Sequence, residues 1–196
     1  ADAALPGRLS LFQRMMLIWN RLHPYNAVHV ARLPGRFDGE RLTALVRYVL
    51  ESSGLTGLRL DESAGRYVYE GGPAEIGVSE IDPGEHPQAA LQSALETQLN
   101  APFPLDRPTT PFRFFAVPAD GGFHLGLAYC HFVADATPIV RLMAHLARAY
   151  AGEAVPALRP FDRYPAVGRL LWPAAVRSLP AWLLTFPQFV ANIRRS

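Results

Sequence analysis

The alternation of apolar and polar positions is clearest between Phe123 and Cys130. Phe123, Leu125, Leu127 and Tyr129 alternate with His124, Gly126, Ala128 and Cys130, which is the period of a strand. An apolar run from Phe112 to Val117 precedes it, and Ala119-Asp120-Gly121-Gly122 between the two predicts a hairpin turn. Past the bend the period changes: Ile139, Leu142, Met143, Leu146 and Tyr150 recur at helical spacing, and Gly152 supplies a stop. Thr137 followed by Pro138 reads as an N-cap and first helical position. One His and one Asp, His131 and Asp135, therefore fall in a bend between a core strand and a helix.

The same reading covers the chain upstream. Residues 5–20 begin as a loop and become a short amphipathic helix, capped by Ser10 and carrying Phe12, Met15, Met16 and Trp19; His23-Pro24 ends it. Residues 27–33 read as a strand with Val28 and Val30 on one face, closed by Pro34-Gly35. Asp38 caps a helix whose apolar face is Leu42, Leu45, Val46, Val49 and Leu50. Leu58-Arg59-Leu60 and Arg66-Tyr67-Val68-Tyr69 flank a turn at residues 62–65, and a further short strand falls within residues 76–81. Pro87 opens another helix, with Ala90, Leu91, Ala94, Leu95 and Leu99 inward. Strands and helices are mixed and hairpins are present, so the expected class is α/β, with helices flanking a mixed sheet.

Composition narrows this only a little. The 196 residues are 49% hydrophobic and 18% charged, which suits a folded chain with a substantial core. All 19 basic residues are Arg, the formal net charge is +2, and no dense basic stripe suggests nucleic acid. Cys130 is the single cysteine and cannot form an internal disulfide, which fits a reducing compartment. No signal-peptide pattern or membrane-spanning run is expected, so the location predicted is cytoplasmic. Past residue 155 the character shifts. Residues 156–196 are a Pro-rich apolar tail containing Leu170, Trp172, Trp182, Leu183 and Phe186, distinct from an α/β unit over residues 1–155. Such a tail is expected to cover another domain or chain, with contact to a membrane surface as the second option.

The candidate chemistry lies at the bend. A neutral imidazole at a strand end can take a proton from a hydroxyl, amine or thiol at physiological pH. Cys130 and His131 are strand neighbours and should point to opposite faces, which argues against a Cys–His dyad. The six His are scattered, and no metal site is expected. From spacing alone a lone H-x-x-x-D is a common accident, and Asp135 has a plain alternative role as a helix-start acid.

The segment Tyr129-Cys130-His131-Phe132-Val133-Ala134-Asp135-Ala136 nevertheless resembles the H-x-x-x-D-G signature of the coenzyme-A-dependent acyltransferase superfamily. That group includes chloramphenicol acetyltransferase, nonribosomal peptide condensation domains, plant-type acyltransferases and wax ester synthases. The order of the surrounding pieces matches as well: Ser10 to Gln13 before a helix, the strand and helix over residues 27–50, the Arg-bearing Leu58-Arg59-Leu60, and the Pro-rich stretch 100–111 before the hairpin. Two positions depart from the pattern. Cys130 stands where many members have a first His, and Ala136 stands in place of the usual Gly.

The resemblance covers residues 8–150 and implies a chloramphenicol acetyltransferase-like two-layer sandwich subdomain, the N-terminal half only. It implies that His131 is the general base that deprotonates the acceptor. Asp135 would be structural, paired with an Arg that holds the loop, with Arg59 the first candidate and Arg14 the second. No cofactor would be bound; an acyl-coenzyme A or acyl-carrier thioester would be the donor substrate. Complete members are about twice as long and place the catalytic His between two similar halves. The partners implied are thus a C-terminal half, from the same chain or a second one, and a carrier protein. The competing reading is a non-catalytic condensation-like module that binds a carrier protein, lipid or partner chain.

Overall fold

The structure, a computed structural model, describes residues 5–155. The apolar tail named above lies outside the described residues. The elements run β1 (Leu5–Arg8), α1 (Leu11–Leu22), β2 (Asn26–Pro34), α2 (Gly39–Ser52), β3 (Leu58–Asp61), β4 (Arg66–Tyr69), β5 (Val78–Glu80), α3 (Pro87–Asn100), β6 (Phe112–Ala119), β7 (Gly122–Cys130) and α4 (Ala136–Tyr150). They form a four-stranded sheet in the order β2-β7-β6-β5 and a three-stranded sheet in the order β1-β4-β3. The larger sheet is mixed: β2 and β6 flank β7 antiparallel, and β5 joins β6 parallel.

Alternation along the strands decides what each face buries. Phe112, Phe114 and Ala116 of β6 lie with Phe123, Leu125, Leu127 and Tyr129 of β7 in the main core. Leu42, Val46, Val49 and Leu50 of α2, with Ile139, Leu142, Met143 and Leu146 of α4, cover that face. The intervening Phe115 and Val117 form a second cluster with Ala94 of α3 and the partly buried Val28, Ala90, Leu91 and Leu95. Helices thus flank the sheet on both faces. At the sheet's centre, Gly126 is required by close approach: a Cβ there would fall inside the ring of Phe115.

The expected elements are present, with four differences, the first being that Leu99 of α3 is exposed rather than inward because the helix turns only its Ala94 side fully onto the sheet. Residues 5–8 are a strand rather than a loop, because they pair antiparallel with β4 from Leu5 opposite Tyr69 to Arg8 opposite Arg66. On α1 the buried residues are Gln13, Met16 and Leu17, while Phe12, Met15 and Trp19 are exposed. The cap of α4 is Asp135 rather than Thr137: the Asp135 carboxylate accepts from the Thr137 N–H at 3.0 Å. No helix among the described residues is long and apolar enough to cross a membrane.

Candidate active site

His131 stands immediately after β7, and its position is fixed by three contacts with Tyr25 and Tyr129. Its backbone N–H donates to the Tyr25 carbonyl at 3.0 Å, which extends the β2–β7 ladder one step beyond Asn26 and Cys130. Its ring stacks on that of Tyr25, with centroids 5.4 Å apart and planes 13° from parallel. Tyr129 meets it edge-on at 6.0 Å and 64°. Tyr25 is itself held by α1: its N–H donates to Asn20 Oδ1 at 2.8 Å, and Trp19 packs on its ring at 5.5 Å. A half-buried imidazole is therefore supported by two aromatic rings and a strand end, the kind of rigid setting a reacting group needs.

The backbone of the bend is braced from α1. Ser10 and Gln13 form a capping box: the Gln13 N–H donates to Ser10 Oγ at 3.2 Å, and the Ser10 N–H donates to Gln13 Oε1 at 2.9 Å. The other end of the same amide, Gln13 Nε2, donates to the Phe132 carbonyl at 3.0 Å. Gln13 is 4% exposed, so this carbonyl is satisfied inside the protein, where water is largely excluded. Buried Phe132 and Ala134 anchor the bend on its inner side.

Among the described residues the expected Arg brace is not formed. Asp135 caps α4, and its carboxylate uses the partial positive charge of the helix start instead of a guanidinium. Arg59 belongs to the smaller sheet and pairs with Glu70 at 2.8 Å, beside its own hairpin. Arg14 lays its guanidinium over Gly65, whose φ of +63° and missing Cβ make the space. Neither forms an ion pair with Asp135. Ala136, at the position where a Gly is usual, is the first residue of α4, and no non-Gly residue among those described has positive φ. The backbone at residue 136 therefore does not demand Gly.

Cys130 is 1% exposed, and burial pushes its thiol up to about 12. Its Sγ–H donates to Asn20 Oδ1 at 3.8 Å. A thiol kept protonated and packed in the core is no nucleophile at neutral pH, so Cys130 and His131 do not act as a dyad. Tyr129 is pushed up to about 12 as well, first by burial and then by the charge of Asp135. Among the described residues no cluster of His, Cys, Asp and Glu could hold a metal ion.

The sequence reading did not single out Tyr25, Asn20 or His29 in this neighbourhood. His29 of β2 lies on the same strand face as Ala27 and Tyr25, and its Nε2 is 3.3 Å from the Tyr129 hydroxyl. Burial lowers its pKa, and the nearby charge of His131 lowers it further. The signal available in sequence was parity: the alternate positions Ala27, His29, Ala31 and Leu33 make one strand face, apolar except for His29. The register that sets His29 diagonal to Tyr129 is supplied only by the sheet.

No family model and no curated protein matches the chain. The fold, however, is that of condensation domains. The first condensation domain of the calcium-dependent antibiotic synthetase, solved with a substrate analogue, superposes at a TM-score of 0.66 with 21% identity, over 90% of this chain and 45% of that one. The tallysomycin biosynthesis protein TlmII gives 0.66 and 24% identity, over 90% and 48%. The condensation domain of the Monacolin K polyketide synthase MokA gives 0.65 and 17% identity, over 92% and 43%. The chain thus spans about half the length of the structures it matches, and what it shares with them at these identities is the fold.

Proposed function

We propose that this chain is the N-terminal half of a condensation-type acyltransferase with His131 as general base. The observation that carries the reading is the His131 ring, stacked on Tyr25 at the end of β7 in a bend that Gln13 braces. A neutral imidazole there takes the proton of an acceptor hydroxyl or amine. The acceptor oxygen or nitrogen forms a bond to the thioester carbonyl carbon as the C–S bond breaks. The leaving thiolate recovers the proton from the imidazolium. Coenzyme A or a carrier protein would supply the thioester, in keeping with the condensation-domain fold. Asp135 shapes the start of α4 and takes no part in proton transfer.

A second half is part of the proposal. One pocket of about 630 Å³ lies at the other end of β2, lined by residues including Arg32, Phe37, Arg41 and Tyr150. In this reading the substrate channel at the bend takes some of its walls from that second half. His131→Ala in the complete protein should reduce acyl transfer by about 100-fold or more; unchanged turnover would exclude His131 as the base.

One observation favours the alternative, a non-catalytic module that docks a partner chain. Leu11, Met15, Ile18 and Leu22 of α1 are exposed at 77%, 41%, 55% and 82%, on one helix face. The two readings separate on turnover: its presence in the complete wild-type protein and loss in His131→Ala support the enzyme, whereas partner binding without any turnover in the complete wild-type protein supports the module.

A further inference from the structure

The face of β2 and β7 that carries His131 also carries a second imidazole with its own polar partner. Register places Ala27 opposite Tyr129 and His29 opposite Leu127, so His29 and Tyr129 are diagonal neighbours on one face. The His29 Nε2 and the Tyr129 hydroxyl are 3.3 Å apart, with ring centroids at 5.8 Å. Tyr129 in turn stands edge-on to His131 at 6.0 Å, and Tyr25 closes the far side of the His131 ring. Packing alone does not call for this arrangement. The other residues of the β2 face are Ala27, Ala31 and Leu33, and an aliphatic–Phe pair would fill the same space without desolvating a hydroxyl and a partly buried imidazole. A buried Tyr hydroxyl needs a partner, and the His29 Nε2 lies within hydrogen-bond distance of it.

We infer that His29 is a positioning residue for His131, acting through Tyr129: its imidazole holds the Tyr129 hydroxyl, and the fixed Tyr129 ring holds His131 against Tyr25. The inference rests on the reading of His131 as the reacting imidazole. It adds to the site a polar pair that neither the H-x-x-x-D spacing nor the bend itself contains. His29 acts on orientation. It stands one side chain removed from the ring that would meet substrate.

The test is long-range ¹H–¹⁵N spectroscopy of the histidine rings in the full 196-residue chain, comparing wild type with His29→Ala, His29→Gln and Tyr129→Phe. In His29→Ala and Tyr129→Phe the His131 ring nitrogens should shift and change their tautomer ratio, while those of His86 and His145 stay in place. His29→Gln, which keeps a hydrogen-bonding group in reach of Tyr129, should return His131 towards its wild-type signature. The double variant should move His131 no further than either single one. Unmoved His131 resonances in Tyr129→Phe, a substitution that removes one oxygen and keeps the ring, overturn the inference even where His29→Ala fails to fold. Failure of His29→Gln to restore the signature also overturns it, because a purely steric role would show that result. Retained turnover in His131→Ala of the complete protein is a separate outcome. It removes the functional reading, whereas unmoved resonances remove the positioning role alone.

Discussion

The Gln13 side chain donates to the Phe132 carbonyl at 3.0 Å, joining two residues 119 positions apart. The same amide closes the capping box of α1, so one buried polar group sets both the start of a helix and the path of the candidate active-site bend. Replacing it with Leu keeps the volume and removes both functions. Gln13→Leu should cost about 2–4 kcal/mol, from a buried carbonyl left without a donor and a lost cap interaction. Urea unfolding measures the loss; a change below about 0.5 kcal/mol would show that the bend holds its path without the brace.

Asp135 offers a contrast, because its role as a cap tolerates Asn and an ion pair would not. Asp135→Asn should stay within about 0.5 kcal/mol of wild type, and Asp135→Ala should lose about 1 kcal/mol. Arg59→Ala breaks only an exposed pair with Glu70 and should cost at most about 1 kcal/mol. The two Ala substitutions should add to within about 0.5 kcal/mol in a double-mutant cycle. A coupling well above that would reinstate the Asp135–Arg59 pair that the structure does not contain.

What was legible in the sequence, and what was not, follows from the range of each signal. The strand, bend and helix around His131, and α2 with its Asp38 cap, are written in short periodic stretches whose partners lie along the same segment. β1 has no such period; Leu5-Pro6-Gly7-Arg8 is a strand because β4 supplies its ladder. α1 is amphipathic, but most of its apolar arc (Leu11, Met15, Ile18, Leu22) is exposed, so periodicity pointed to the wrong inner face; the buried side is the one on which Gln13 finds the Phe132 carbonyl. The Arg partner of Asp135 failed for the same reason that His29 was missed. Both depend on which strand lies beside which, and a one-residue change of register reverses the face each side chain occupies.

The buried thiol gives a chemical and a pH test. Below its ordinary value of 9.0 the Cys130 thiol is protonated whether the chain is folded or not, and its contribution to stability is complete. The folded thiol is pushed up to about 12, so above pH 9 the unfolded chain loses this proton and the folded one keeps it. Stability should therefore fall as pH rises from 9 towards 12. Cys130→Ala should flatten part of that slope between pH 8.5 and 9.5, where tyrosines, with an ordinary value of about 10, are still mostly protonated. At pH 8 a disulfide reagent should react on the order of 1000-fold more slowly with the folded chain than with the chain in guanidinium, following the thiolate fractions. Rapid labelling of the folded chain would contradict the buried position of Cys130 and reopen a Cys–His pairing.

The outer face of α1 separates stability from association. Met16 and Leu17 are 2% and 3% exposed and belong to the core, whereas Ile18 and Leu22, on the same helix, are 55% and 82% exposed. Met16→Ala should cost about 2–5 kcal/mol through lost burial and the cavity left behind. Ile18→Ser and Leu22→Ser should each stay within about 0.5 kcal/mol of wild type, because they remove nothing from the described core. Both Ser substitutions should also weaken any association that uses the α1 stripe, and sedimentation of the complete protein with its partner reads this directly. An Ile18→Ser loss in urea as large as that of Met16→Ala would place the stripe inside the fold and withdraw α1 as a contact surface. Unchanged stability with weakened association would make α1 a surface that keeps its apolar residues for a partner.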